Sequence, residues 1–178
     1  MDPYPPIDTW VVPTGAMAAT LACVRSPGER GVESGAFWLG RRALRSIVDT
    51  VVVPTGRGVE ERPDHWRVAA EVFGEISRWA GPKGLSLLGI LHTHGGRFPA
   101  RLSPADRTRS VRALGVLAVV VGDGGRDGDP DAWGWYVFEG DDYRLLAAEE
   151  RERRIAMPDG AVSVLRASRD GVEDWTLW

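Results

Sequence analysis

The spacing of apolar and polar residues predicts a chain in which strands and helices follow one another. Residues 8–12 predict a short strand, and residues 14–25 predict a largely apolar helix. The segments 33–42 and 46–54 predict two strands with a short connection, and the second is rich in β-branched residues. The first third of the chain is therefore expected to supply a helix and three strands.

The clearest helical pattern lies in the middle of the chain. Over residues 64–80, apolar side chains recur at three- and four-residue steps, and a glycine-proline pair follows them. We expect His65 in the first turn of this helix, at the surface. The next segment, 85–92, is almost continuously apolar, which is typical of a central strand covered on both faces.

The last part of the chain continues the alternation. It predicts a helix over 104–114, strands over 116–122, 132–140 and 142–147, and a short solvated helix over 148–154. Helices that alternate with strands in this order predict an α/β sandwich around a mixed β-sheet.

Composition excludes some classes of function. The 178 residues suit one domain, and a formal net charge of -3 gives no reason to expect nucleic acid or a membrane as the main partner. Cys23 is the only cysteine, so a reducing compartment is expected. Because residues 1–10 lack the pattern of a signal peptide and no apolar run reaches ~18 residues, we expect a cytoplasmic protein.

Candidate chemistry concentrates at the end of the apolar segment 85–92. His92 and His94 are two residues apart, so both imidazoles project from the same face of a strand. Two neutral imidazoles can begin a zinc site, and a catalytic zinc takes three protein ligands and leaves one position for water. The alternative is a pair of polar residues hydrogen-bonded at a strand end. The apolar strand and the glycines that follow favour the metal site.

The third ligand and a general base must come from elsewhere in the chain. Asp106 is the best candidate ligand, because His65 is expected at the surface. The segment Ser103-Pro104-Ala105-Asp106 is also a strong helix-start signal, and such a cap would fix the loop that carries the ligand. Glu33, at the start of the strand 33–42, is the candidate base, although a glutamate after a turn is more often a solvated charge.

Taken together, these residues form an ordered set of motifs: Glu33-Ser34-Gly35-Ala36, then His92-Thr93-His94, then Ser103 and Asp106. In this order and spacing they resemble the JAMM (MPN-plus) zinc metalloproteases and the related prokaryotic JAB-domain, deubiquitinase-like proteins. The resemblance covers about half of the chain, residues 33–122. The chain differs from the usual family motif in two places, and both differences are typical of a bacterial-type branch. Eight residues separate His94 from Ser103, where many members have seven. Gly95 occupies the position after the second histidine, where a proline is often found.

The resemblance implies a fold and a domain organisation. The expected fold is the JAB/MPN-type α/β sandwich around a mixed, curved β-sheet, which is cytidine-deaminase-like. The domain would span residues 1–156. From the residues themselves, we expect 157–178 to form a C-terminal extension docked on the domain or on a partner, with Trp175 and Trp178 as the docking side chains.

The resemblance also implies a role for each motif. Zn²⁺ would be held by His92, His94 and Asp106. Glu33 would take a proton from the attacking water and deliver it to the leaving amine. Ser103 would donate a hydrogen bond to the developing oxyanion.

In this family the substrate is usually an isopeptide after the C-terminus of a ubiquitin-like protein. The implied function is deconjugation or precursor processing in a bacterial ubiquitin-like conjugation system, in some cases an antiphage system, beside activating and conjugating enzymes. Two alternatives remain: a non-catalytic scaffold of the same fold, and a zinc hydrolase that releases a small amine or amino acid from a carrier protein's C-terminus. The complete set of catalytic residue types favours an enzyme over the scaffold.

Two further segments carry expectations. The loop 95–101 borders the candidate metal site and is a candidate for gripping an extended substrate tail, and addition of that tail beside strand 33–40 is one way to hold it. The aspartates of residues 123–131 predict a loop of turn-forming residues rather than a calcium site, because no bidentate acid follows them.

Overall fold

A computed structural model describes residues 6–175 of the chain. Four α-helices lie in this part: α1 (Thr14–Glu29), α2 (Ala70–Ala80), α3 (Pro104–Arg109) and α4 (Ala148–Arg154). The strands of the same part are β1 (Thr9–Val11), β2 (Ser34–Arg41), β3 (Arg45–Pro54), β4 (Val59–Arg62), β5 (His65–Val68), β6 (Ser86–Thr93), β7 (Leu117–Val121), β8 (Gly134–Phe138), β9 (Tyr143–Leu145), β10 (Ile155–Ala156), β11 (Ser163–Ser168) and β12 (Gly171–Asp174).

Ten of these strands form one mixed sheet. Their hydrogen-bonded order is β10-β1-β3-β2-β6-β7-β8-β9, and β11 pairs with β3 and with β12. The pairs β2–β3 and β2–β6 are antiparallel, whereas β6–β7 and β1–β3 are parallel. The predicted α/β class with a mixed sheet is confirmed.

The sheet curves strongly. Both ladders of β2 shift register near Leu39, and such irregularities bend a strand. As a result, the two ends of the sheet approach each other: the Arg154 guanidinium donates to the Ile7 and Asp8 carbonyls beside β1 and lies 3.5 Å from Glu139 beyond β8.

Helices cover both faces of the sheet. On β2, Ala36 and Trp38 point into the cluster beneath α1, while Phe37 and Leu39 point into the cluster beneath α2. This two-sided burial explains why β2 and β6 are nearly uniformly apolar. The layers form the expected sandwich.

Helix α1 is longer than its sequence pattern predicts. It continues to Glu29, four residues beyond the predicted end at residue 25. Pro27 lies inside the last turn, where it lacks the N–H that would donate to the carbonyl four residues earlier, and Gly28 is buried. A Cβ atom on Gly28 would lie 2.2 Å from the Gly124 carbonyl oxygen, so the close contact between these backbones requires glycine.

The helix predicted to begin at residue 64 begins at Ala70, which corrects the expectation. The preceding residues form the hairpin β4–β5, with Pro63 and Asp64 at its turn. Trp66 of β5 packs on Phe37, with ring centroids 5.4 Å apart. Trp66 and the apolar residues of α2 therefore cover the same face of the sheet, although Trp66 lies on a strand and not on the helix. This shared burial explains why its spacing from the later apolar residues fits a helix.

The helix predicted over 104–114 is also shorter, and ends at Arg109. Ser110 is extended, and Val111 and Ala113 pack against the cluster beneath α2 as part of an irregular segment. The Val111 carbonyl accepts a hydrogen bond from the Tyr143 hydroxyl. Tertiary packing of these apolar residues therefore replaces the continuation of the helix.

The C-terminal part of the chain extends the sheet. Strand β11 runs parallel to β3 along Thr50–Pro54, beyond the stretch of β3 that pairs with β1. Trp175 packs against the α1-side core, and its backbone N–H donates to the Val164 carbonyl at 2.9 Å. Trp178, the other aromatic residue expected to dock, lies outside the described residues.

No α-helix within residues 6–175 is both long enough and apolar enough to cross a membrane.

Candidate metal centre

The structure brings His92, His94 and Asp106 together. His92 lies near the end of β6, His94 directly follows that strand, and Asp106 lies in the first turn of α3. One potential ligand atom from each residue lies within 4.8 Å of the others. Asp106 Oδ2 is 3.5 Å from His92 Nε2 and 3.2 Å from His94 Nε2.

A capping box fixes the position of Asp106. Its backbone N–H donates to Ser103 Oγ at 3.1 Å, and the Ser103 N–H donates to Asp106 Oδ2 at 2.7 Å. The helix-start signal is thus confirmed, and the same carboxylate oxygen faces both histidines. The cap and the cluster of potential ligands are one structure, because the hydrogen bonds that begin α3 also orient its acid.

The loop after His94 is held close to the rest of the fold. A Cβ atom on Gly95 would lie 2.4 Å from the Gly31 carbonyl oxygen, which explains why a glycine follows the second histidine. On the other side, His94 Nε2 lies 3.2 Å from Asp106 Oδ2, and this hydrogen bond directs the ring at the acid.

The electrostatics of the cluster suit metal ligands. Burial acts to raise the pKa of Asp106, but the His92 and His94 imidazoles beside the carboxylate outweigh burial and hold the pKa far below its ordinary value. Burial acts to lower the pKa of His94, yet the hydrogen bond to Asp106 and the charge of Glu33 raise it overall. Asp106 is therefore ionised, as a ligand must be, and metal binding would compete with the proton that the raised pKa favours on His94.

One buried atom tests whether a metal fits. His92 Nε2 is inaccessible to solvent and has no hydrogen-bond partner among the described residues. An unsatisfied buried polar atom costs about 1–3 kcal/mol, so its persistence requires a reason. A metal ion held by two imidazoles and a carboxylate would satisfy it, and this donor set is one that zinc accepts. In the described residues this is the one cluster of that kind.

Glu33 lies beside the cluster rather than in solvent. It immediately precedes β2, it is 9% exposed, and its backbone N–H donates to the Arg62 carbonyl of the hairpin. Burial raises the pKa of Glu33, while the charges of His94 and His92 act to lower it. The fold thus gives this carboxyl the two properties of a general acid–base group: a raised pKa and a position next to the potential ligands.

Glu33, His92 and Asp106 face a common cavity of about 620 Å³. One wall is the β5 strand of the hairpin, the other is α3 with the segment after it, and the floor is formed by β2, β6 and α2. The residues lining it are Glu33, Phe37, Asp64, His65, Trp66, Arg67, Val68, Phe73, Ile90, His92, Ala105, Asp106, Arg109, Ser110 and Val111. Ser103 is not one of them, and its proposed role therefore stays a prediction.

His65 is placed differently from its expectation. Instead of lying on an outer helix face, it lies on the hairpin wall of the cavity, with Nδ1 3.0 Å from Asp64 Oδ1. It is not grouped with the three potential ligands. The hairpin wall was missed by sequence reasoning, although the Pro63-Asp64 dipeptide is a turn signal that could have revealed it.

The expectation that a substrate tail adds beside strand 33–40 is wrong. Strand β2 has β3 on one side and β6 on the other, so its backbone groups are already paired. The free edge next to the cavity is that of β5, which pairs only with β4 among the described strands.

The aspartates of the loop after β7 stabilise its turns through side-chain hydrogen bonds. Asp127 and Asp129 accept hydrogen bonds from the backbone N–H groups of Asp129 and Asp131, and Asp131 pairs with Arg151 at 2.7 Å. These contacts account for the acidic spacing without a bound cation.

Comparison with known proteins gives a few relatives. No protein-family model matches the sequence. The chain is 29% identical over 118 residues to the "Probable metalloprotease y4jG" of Sinorhizobium fredii. The aligned region covers 65% of this chain and 72% of that protein.

Among solved structures, the chain resembles the solution structure of protein DSY2949 from Desulfitobacterium hafniense. The TM-score is 0.63 at 17% identity, over 86% of this chain and 95% of that chain. The two proteins share a fold. The crystal structure of AF2198, a JAB1/MPN domain protein from Archaeoglobus fulgidus, gives a TM-score of 0.41 at 15% identity, over 77% of this chain and 93% of that one. That score is too low to carry an argument.

Proposed function

We propose that this protein is a zinc-dependent peptidase of the JAMM type, with a JAB/MPN fold. The observation that carries the proposal is the cluster of His92, His94 and Asp106, which adjoins a cavity lined by His92, Asp106 and the buried Glu33. These residues stand in the sequence in the order and with the local spacing of the JAMM motifs. Similarity to a protein named as a probable metalloprotease supports metal-dependent peptide cleavage.

Zinc would be held by His92, His94 and Asp106. When bound, it would supply a water of lowered pKa, near ~7, and would polarise the scissile carbonyl. The chain's own contribution is to fix the ligands: the capping box orients Asp106, and the hydrogen bond to Asp106 orients His94.

Glu33 carries the proton in the proposed mechanism. It takes the proton of the attacking water and then delivers it to the nitrogen of the leaving amine. A carboxyl whose pKa is raised by burial performs both steps better than a solvated one, because its pKa lies nearer the working pH. Ser103 would donate a hydrogen bond to the oxyanion, since its hydroxyl oxygen serves only as an acceptor in the cap.

The proposed substrate is a ubiquitin-like protein or its conjugates, cut after the C-terminus of the ubiquitin-like protein. The setting would be a bacterial conjugation or antiphage system in the cytoplasm, with activating and conjugating enzymes as associated partners. The unpaired edge of β5 supports binding of an extended tail, because its backbone groups can pair with an added strand beside the cavity.

A metal-free scaffold of this fold is the rival function. The unsatisfied His92 Nε2 argues against it, because a scaffold has no need for a buried imidazole without a partner.

Zinc content, measured by elemental analysis after purification without chelators, tests the proposal. We expect about one zinc per chain in the wild type, from the three-ligand requirement of a catalytic site, and none in Asp106→Ala. Asp64→Ala is the matched control: Asp64 lines the same cavity but is not grouped with the potential ligands, so its zinc should remain. A zinc-free wild-type protein after zinc supplementation would favour the scaffold.

A further inference from the structure

Two arginines line the cavity beside the candidate metal centre. Arg67 of β5 lines one wall, and Arg109 of α3 lines the other. Arg109 is three residues after Asp106, so the two side chains share a face of the helix. Neither guanidinium forms an ion pair with any residue of the described part of the chain.

The acidic groups around these arginines have other partners. Asp106 belongs to the candidate metal centre, and Asp64 lies 3.0 Å from His65 Nδ1. Glu60 stands opposite Arg67 in the register of the hairpin, but its carboxylate approaches His65 Nε2, at 3.6 Å. Glu33 lies buried on the floor of the cavity. Two arginines without an ion pair in the described part of the chain therefore line this cavity.

We propose that Arg67 and Arg109 together bind a carboxylate of the substrate, close to the bond that is cleaved. This inference rests on the proposed peptidase function and deepens it by naming the substrate class. Guanidinium groups match carboxylates in shape and charge, and charge-assisted hydrogen bonds are about twice as strong as neutral ones. The same two charges repel a basic residue at that position, so they also restrict which peptides enter.

A carboxylate at this place has two possible sources. It can be the free α-carboxylate of a single amino acid attached to a carrier protein, or the side chain of an acidic residue next to the scissile bond in a longer polypeptide. Both sources present a carboxylate to the arginines, whereas neutral or amidated substrates present none.

The test is an NMR titration of the zinc-loaded Glu33→Gln variant, in which turnover is blocked. The probes are acetyl-Gly-Gly-Ala with a free carboxylate, its C-terminal amide, and acetyl-Gly-Gly-Glu-amide, whose carboxylate is on a side chain. The Nε–Hε resonances of Arg67 and Arg109 report binding. We expect at least one carboxylate probe to bind about tenfold more tightly than the neutral amide.

Matched variants assign that preference to the two arginines. Arg67→Ala/Arg109→Ala should abolish it, whereas Arg25→Ala/Arg153→Ala should keep it, because those exposed arginines lie on α1 and α4 and do not line the cavity. A preference for the free acid identifies an amino-acid conjugate, and a preference for the glutamyl probe identifies an acidic residue.

Equal affinities for all three probes, no binding of any of them, or a preference that survives in Arg67→Ala/Arg109→Ala overturns the inference. The result is separable from the peptidase proposal. Carboxylate-dependent binding without cleavage by the wild type would refute the peptidase function alone. Cleavage that ignores the carboxylate would refute this inference alone.

Discussion

Glu33 shows how strongly the environment determines the chemistry of one residue. From sequence alone, a glutamate after a turn is most often a solvated charge. In the fold, the Arg62 carbonyl fixes its backbone and the sheet buries its side chain next to two imidazoles. Burial raises its pKa, so the proton that it exchanges is held at a higher pH than in a solvated carboxyl.

We predict that Glu33→Gln keeps the metal and loses the activity. The amide has the same size but exchanges no proton, and loss of a general acid–base group costs about 10²–10⁴-fold in rate. Zinc content and the rate of cleavage of a ubiquitin-like fusion would be measured on the same preparation.

Glu61→Gln is the control for this substitution. Glu61 also has a raised pKa through burial, but it lies on β4 and does not line the cavity, so its variant should cleave at the wild-type rate. Wild-type turnover by Glu33→Gln would show that another group moves the proton.

At the scale of elements, the contact between the hairpin and β2 depends on a missing side chain. Gly35 follows Glu33 by two residues and lies beneath the Trp66 indole. A Cβ atom there would lie 2.4 Å from the Leu91 carbonyl oxygen and 2.6 Å from Trp66 Cζ3. The Leu91 carbonyl belongs to the neighbouring strand β6 and cannot move away without disturbing the ladder that carries His92.

Gly35→Ala should therefore lower the free energy of unfolding by about 1–3 kcal/mol, the cost of overpacking a filled interior. Urea unfolding followed by circular dichroism would measure it. Gly74→Ala, in the middle of α2, is the matched control: the nearest atom is 4.0 Å from its added methyl group, so it should raise stability by about 0.5–1 kcal/mol. The same sign of change in both variants would contradict this account.

At the scale of the whole molecule, a cluster of charges supports the curvature of the sheet. Arg144 of β9 binds Glu139, beyond β8, and Glu150, on α4. Arg154 binds the same two acids and also the carbonyls beside β1. The cluster thus joins the strand ends that the curved sheet brings together.

The cluster predicts a pH-dependent contribution to stability. Hydrogen bonds from Arg144, partly opposed by burial and supported by Arg154, lower the pKa of Glu150 to about 2. The unfolded value is near ~4.3, so the ion pair stabilises the fold above that pH and loses its effect as the pH falls towards 2.

Arg144→Gln should therefore be less stable than the wild type at pH 7, by no more than about 1 kcal/mol because solvent screens the pair, and the difference should shrink at pH 3. Unfolding by urea at both pH values would measure it. Arg153→Gln, at an exposed residue of α4 with no ion pair in the described structure, should change stability at neither pH. If the difference in unfolding free energy between the wild type and Arg144→Gln were the same at both pH values, the cluster would not make a pH-dependent contribution to stability.

The sequence by itself determined the parts of the structure that depend on near neighbours. Helix α4 spans the residues predicted for it, the apolar runs became the central strands β6 and β7, and the capping signal at Ser103 started a helix. Local hydrogen bonding and the periodicity of burial depend on residues that are close together in the sequence, so the pattern of residue types predicts them.

Tertiary structure decided what depends on residues far apart. The apolar spacing of Trp66 fits a helix, yet the face of the sheet beneath it selects a hairpin. That hairpin builds the cavity wall that carries Arg67, and Arg109, which lies 42 positions later in the chain, lines the same cavity. A single sequence shows which charges are present, but only the closed fold decides which of them line one cavity without an ion pair, because that depends on long-range packing rather than on neighbouring residues.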